Sequence, residues 1–148
     1  IYIISEQPIP DIFASMGEGS SIAANLELID QVLIQNEMRM LSSFCEPKDS
    51  TVWYSADDGI NIFLEIKKLV DEIVKKSRNS ATSTNRRNLK KEIIQESNSL
   101  LKSLEDIKEK KLGFRIYLHE SIINGNIIAW EQNYKDGYCV GSLPKDLK

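Results

Sequence analysis

The chain has 148 residues, 41 % hydrophobic and 28 % charged, enough for one domain with a proper core and short for two. No apolar run approaches the roughly 18–20 residues of a membrane span, so a spanning helix is excluded by composition. The net charge of −3 hides a sorted layout: residues 1–60 hold ten carboxylates against two bases (−8), and residues 61–148 hold seventeen bases against twelve acids (+5).

Taken in chain order, Tyr2-Ile3-Ile4 reads as a short strand, and Pro8 and Pro10 then interrupt regular structure. The opening IYIISEQPIP lacks the basic stretch and apolar length of a secretory leader, and Cys45 and Cys139 are read as free thiols. A cytoplasmic location is expected on both grounds. Gly17-Glu18-Gly19-Ser20-Ser21 is a loop with an N-cap at Ser20 or Ser21. Ile22, Leu26, Ile29, Val32, Leu33, Met40, Leu41 and Phe44 then recur at three- and four-residue steps, which predicts a helix over about 21–45, stopped by Pro47.

Ser50 to Ser55 is β-branched and aromatic, an extended segment whose Val52-Trp53-Tyr54 can add an edge strand. Ser55-Ala56-Asp57-Asp58 is capping-box-like and opens a second helix over about 57–77. The polar stretch 77–85 lacks any large apolar residue and reads as a mobile loop. A third helix over about 86–112 carries Leu89, Ile93, Leu100, Leu104 and Ile107 on one face, with Gly113 as its C′ stop. After Gly113 the period changes to two. With the Asn124-Gly125 and Lys135-Asp136-Gly137 turns, residues 113–141 are expected to form a three-stranded antiparallel meander. The expected fold is α+β, a single domain over 1–148, with a three-helix layer packed on that C-terminal sheet.

Chemistry-bearing patterns are sparse. Pairing of His119 with Cys139 across the meander lacks an active-site cysteine turn, so no catalytic residue is assigned and an enzyme is not expected. One histidine and two distant cysteines do not make a zinc cluster, and the acids lack calcium-loop spacing. The glycine-rich stretch at 17–21 has Glu18 where a phosphate site wants a base. No cofactor or metal is therefore expected.

Charge is the remaining signal. Residues 67–91 hold nine bases and two acids, a net of +7, at the tip of the expected helical hairpin. Lys75, Lys76, Arg78, Arg86, Arg87 and Lys90 form the core of that tip, which could follow a phosphate backbone. The absence of aromatics there and the acidic balance of the whole chain weigh against nucleic acid. On the acidic side, Glu27, Asp30 and Glu37 fall at steps of three and seven and are expected to share one helix face. Glu18, Glu46, Asp49, Asp57 and Asp58 extend the field around it. Such a patch can pair with the Lys and Arg of a basic protein.

In size, charge and lack of catalytic motif the chain resembles the small cytoplasmic immunity proteins of bacterial toxin–immunity systems, such as those of contact-dependent growth inhibition. That resemblance implies a domain that binds one cognate toxin, here expected to be a basic nuclease domain, and occludes it. The eight acids from Glu18 to Asp58 are the expected contact residues. A nucleic-acid-associated adaptor using the 67–91 tip is the alternative.

Overall fold

The computed structural model describes residues 2–7, 20–46, 51–77 and 82–117. Its elements are β1 (Tyr2–Ser5), α1 (Ser20–Ala24), α2 (Leu26–Gln35), β2 (Tyr54–Ser55), α3 (Ala56–Lys68), α4 (Val70–Lys76), α5 (Ser83–Glu109) and β3 (Gly113–Tyr117), with a 3₁₀ turn at Leu41–Phe44. The fold is α+β, mostly helical, with one small antiparallel sheet.

The helical hairpin forms as expected. Asp57 pairs with Lys108 and Asp71 with Lys90, both at 2.8 Å, so α3 and α4 climb while α5 descends. Helix α3 begins where Ser55 caps it, its hydroxyl accepting from the Asp57 N–H at 3.3 Å. Asp57 and Asp58 occupy its first turn and Lys67 and Lys68 its last, both favourable to the dipole. The expected 57–77 helix is interrupted at Leu69, where backbone bonds Leu69 N→Glu65 O (2.8 Å) and Ile73 N→Leu69 O (3.0 Å) carry the ladder across. Helix α5 starts earlier than the sequence pattern suggests. The Thr82 hydroxyl accepts from the Asn85 N–H at 3.1 Å, which draws 83–85 out of the expected loop into the helix.

The expected 21–45 helix is three pieces. At Asn25 the side-chain amide donates back to the Ser21 carbonyl at 2.8 Å, and α2 restarts one residue later. Helix α2 then stops at Gln35, because Glu37 takes a left-handed conformation (φ 58°). Glu37 N→Ile34 O (3.0 Å) and Met38 N→Leu33 O (2.8 Å) close the paired cap bonds of a Schellman motif. Helix α5 ends the same way. Lys111 (φ 58°), not Gly113, is the C′ residue, with Lys111 N→Lys108 O at 3.0 Å and Leu112 N→Ile107 O at 3.1 Å.

Strand β3 is the middle of the sheet, in the order β1-β3-β2. Tyr2 faces Tyr117 and Ser5 faces Phe114 on one side; Tyr54 faces Phe114 on the other, and Cys45 bridges Ile116 further along. Both flanks of 113–117 are thus occupied by earlier parts of the chain rather than by a following hairpin strand. The remainder of the expected meander, at 118–141, lies outside the described residues, with His119 and Cys139. Ile3, Ser5, Phe114 and Ile116 turn inward, and all are buried. On the opposite face Arg115, also buried, stacks on Trp53 at 3.9 Å and donates from Nε to the Val52 carbonyl at 2.8 Å. The Arg115 charge is thereby neighboured by a ring and a carbonyl rather than left in an apolar site.

Inside, Phe44, Phe63 and Phe114 are the largest fully buried side chains. The Phe44 ring lies 5.2 Å from both Phe114 and Tyr54, edge-on to the latter. Gly59 sits where α3 crosses this cluster. A Cβ there would lie 2.6 Å from Phe114 Cζ and 3.0 Å from Leu104 Cδ2. Absence of a side chain is what lets α3, α5 and β3 meet.

Helix α1 is anchored from a distance. The Glu96 carboxylate, on α5 and 4 % exposed, accepts from the Ser21 N–H at 2.9 Å and the Ile22 N–H at 3.1 Å. Glu96 thus does for α1 what a local N-cap would do, satisfying first-turn donors. One turn earlier on α5, Glu92 accepts from the Ser21 hydroxyl at 2.6 Å.

Two outcomes are expected. Gly59→Ala should lose about 1–3 kcal/mol by overpacking, despite the better helix propensity of alanine. Adding Phe114→Leu should cost less in that background than in the parent, as read by chemical denaturation. For Glu96, burial raises the carboxyl above its ordinary range, opposed by the bonds from Ile22 and Ser21. The folded chain then holds this proton more tightly than the unfolded chain, so the group's contribution to stability falls as pH rises from the ordinary carboxylate value through the raised one. Glu96→Gln keeps an acceptor and removes the ionisation. Its stability relative to the parent should therefore grow across that window, and urea midpoints that move in parallel at every pH would refute this. Glu96→Ala leaves the α1 donors uncapped and should lose about 2–3 kcal/mol.

Candidate interaction surface

Helix α2 buries Ile29, Val32 and Leu33 against the core. Its outward face is Glu27, Gln31, Ile34 and Gln35, at steps of four, three and one. Ile34 is 54 % exposed, and Met40 just beyond the helix is 40 % exposed. Two large apolar side chains therefore lie on the outer surface of one short region, with Glu27 before them and Glu37 between them in sequence, both exposed. Beside α2 runs a shallow groove of about 600 Å³ lined by Asn25, Glu27, Leu28, Gln31, Lys76 and Ser77. The far wall is held in place by Lys76, which donates to Gln35 at 2.5 Å and pairs with Glu72 at 3.3 Å.

The expected acidic face is redistributed by the fold. Glu27 stays outward on α2, but Glu37 lies past the helix end in its left-handed cap, so the seven-residue step does not align it with Asp30. Asp30 is half-buried, and its carboxylate accepts from the Ser42 N–H at 3.2 Å, anchoring the 3₁₀ turn to α2. Glu46 accepts a short hydrogen bond from the Tyr54 hydroxyl. That bond, then burial and the Glu46 charge, raise the Tyr54 phenol above its ordinary value, with Arg39 acting the other way. Arg39 lies over the Phe44 and Tyr54 rings, 4.1 and 4.7 Å from their centroids. Asp57 is tied to Lys108, whose ammonium it holds above the usual lysine range. Asp58 is exposed on the first turn of α3. Glu18 and Asp49 lie outside the described residues.

The fold therefore separates six carboxylates into two groups. Asp30, Glu46 and Asp57 hold internal partners. Glu27, Glu37 and Asp58 are exposed and form no ion pair with another described residue.

No family model, curated protein or solved structure matches the chain. No group of three or more His, Cys, Asp or Glu able to hold a metal occurs among the described residues. Cys45 is half-buried. No helix among the described residues is long and apolar enough to cross a membrane.

Sequence reasoning missed the apolar part of this surface. Ile34 was one of a run of apolar residues, Val32-Leu33-Ile34, and lies one helix step off the buried stripe; that offset was the available signal. The left-handed Glu37 carries no sequence signal, since glycine or asparagine is the usual occupant.

Glu37→Gly should raise stability by about 0.5–1 kcal/mol, by relieving a left-handed residue with a side chain. The measurement is a denaturation midpoint. A loss instead would mean that the Glu37 side chain makes a stabilising contact that outweighs its backbone strain.

Proposed function

We propose that this chain is a binding protein that occludes a basic protein partner through the outward face of α2 and the turn that follows it, in the manner of an immunity protein against a bacterial toxin. One observation carries the proposal: Ile34 and Met40, six residues apart in sequence, are both exposed in a segment whose exposed carboxylates, Glu27 and Glu37, have no ion-pair partner among the described residues. Apolar side chains supply the affinity of an interface when they are desolvated at its centre. Charges at the rim set encounter rate and partner choice. A basic nuclease domain of a toxin fits both, since its substrate surface is positively charged and covering it is sufficient to block it. Under this proposal the protein works in the cytoplasm, where the toxin would act, and has no catalytic residue of its own.

Division of labour among the acids sharpens the contact set. Asp30, Glu46 and Asp57 shape the surface through their internal bonds. Glu27 and Glu37 are the residues free to meet Lys or Arg. Asp58 lies on a different element, the start of α3.

The test pairs the chain with the toxin domain encoded beside it in the native genome, with growth protection and association kinetics as readouts. Glu27→Lys with Glu37→Gly should slow association severalfold and flatten its salt dependence, leaving dissociation nearly unchanged. Ile34→Asp should instead speed dissociation by about tenfold or more, the loss of a central contact worth at least ~1.4 kcal/mol. Protection and kinetics unaffected by all three changes would rule out the α2 surface. Absence of any bound basic protein in a pull-down from the native host would rule out the function.

A further inference from the structure

The α2 surface makes no use of the basic residues at the start of α5. No side chain from Thr82 to Asn88 is buried, so the first two turns of α5 make no contribution to the core. Those turns and the next carry Arg86, Arg87, Lys90 and Lys91, and the first turn has no acid. The arrangement opposes local stability twice. Cations stand at the positive end of a 27-residue helix, where the dipole disfavours them. Arg86 with Lys90, and Arg87 with Lys91, are like-charge pairs at the i, i+4 spacing that places side chains side by side. Lys90 alone is relieved, by Asp71 on α4 at 2.8 Å. Lys75, Arg86, Arg87 and Lys91 have no ion pair among the described residues, and Lys75 lies in the last turn of the antiparallel neighbour α4.

We propose that this basic end of the helical hairpin binds the phosphate backbone of a nucleic-acid duplex, through residues other than Glu27, Ile34, Glu37 and Met40. Repulsion that the described residues leave uncompensated is relieved when closely spaced anions arrive, and a helix N-terminus adds its own backbone donors toward them. Membrane binding is disfavoured by the chemistry of the segment: Ser83-Thr84-Asn85-Arg86-Arg87-Asn88 holds no apolar side chain to insert. Single-strand binding is disfavoured too, because residues 67–91 contain no aromatic on which a base could stack. What remains is contact with regularly spaced phosphates, sequence-independent and strongly salt-dependent.

The experiment is fluorescence anisotropy of the full chain with a labelled DNA duplex and a labelled RNA duplex, titrated over a range of salt concentrations. Four phosphate contacts predict a slope of log K against log salt of about −3 to −4 for DNA. Arg86→Gln with Arg87→Gln should weaken binding more than tenfold and reduce the slope by about two. The same double variant should melt at a higher temperature than the parent, since it removes repulsion from the helix end, so lost binding cannot be lost folding. The proposal is overturned if neither duplex binds at low salt, or if the double variant binds with an unchanged slope. It is also overturned if polyglutamate or anionic vesicles compete as well as duplex does, which would make the partner an acidic protein or a membrane surface.

Discussion

The contact at Gly59 sets the register of this molecule. Because that position has no Cβ, α3 comes close enough for the Phe114 ring to lie against its backbone, and Leu104 of α5 completes the crossing. Everything else is measured from there. Phe114 fixes β3 beneath the helical hairpin, and β3 in turn receives β1 on one side and β2 on the other. The same α5 that supplies Leu104 carries Glu96, which fixes α1. A small chain of this length has few independent ways to place its layers, and here one missing side chain places three of them.

Elements whose signal was local were legible in the sequence. The Ser55-Asp57-Asp58 start of α3, the apolar stripe of α5 and the change of period at Gly113 each follow from residues within a turn or two of the feature. What was not legible depended on partners far away. Met40, Leu41 and Phe44 match the helical spacing of Ile29 and Leu33, yet the chain leaves the helix at Glu37. Leu41 and Phe44 reach the core from a separate turn held by Asp30. Spacing alone cannot distinguish one helix from two segments that bury the same face. Likewise β3 looked like the first strand of a meander because Asn124-Gly125 lies just beyond it. Its neighbours on both sides come from residues 2–5 and 54–55, whose pairing no local pattern encodes.

Charge behaves in the same way. Counting acids in residues 1–60 describes a field, but a carboxylate that caps a turn, accepts from a phenol or pairs with a lysine has been committed to structure. Asp30, Glu46 and Asp57 are of that kind, and they lie close enough in sequence to Glu37 and Asp58 to have been grouped with them. Separating them leaves a smaller acidic surface and adds to it something a charge count cannot supply, the exposed Ile34 and Met40. The basic residues divide too. Lys76 and Lys90 cross-link helices, whereas Arg86 and Arg87 are exposed on the first turns of α5 and form no ion pair with another described residue.

The bond from Glu96 to the start of α1 also bears on the order in which the chain assembles. A helix of five residues has no stability of its own, since it barely exceeds the nucleus that helix formation must first build. Its cap lies 75 residues downstream of Ser21. While the chain emerges from a ribosome, α1 therefore has no means of forming until α5 has been made and has folded. The same holds for β1, whose partner β3 comes later still. The helical hairpin is built from contiguous chain and can form first, and the amino-terminal segments close onto it afterwards. Strand β1 and helix α1, although made before the hairpin, are thus among the last segments to find their places.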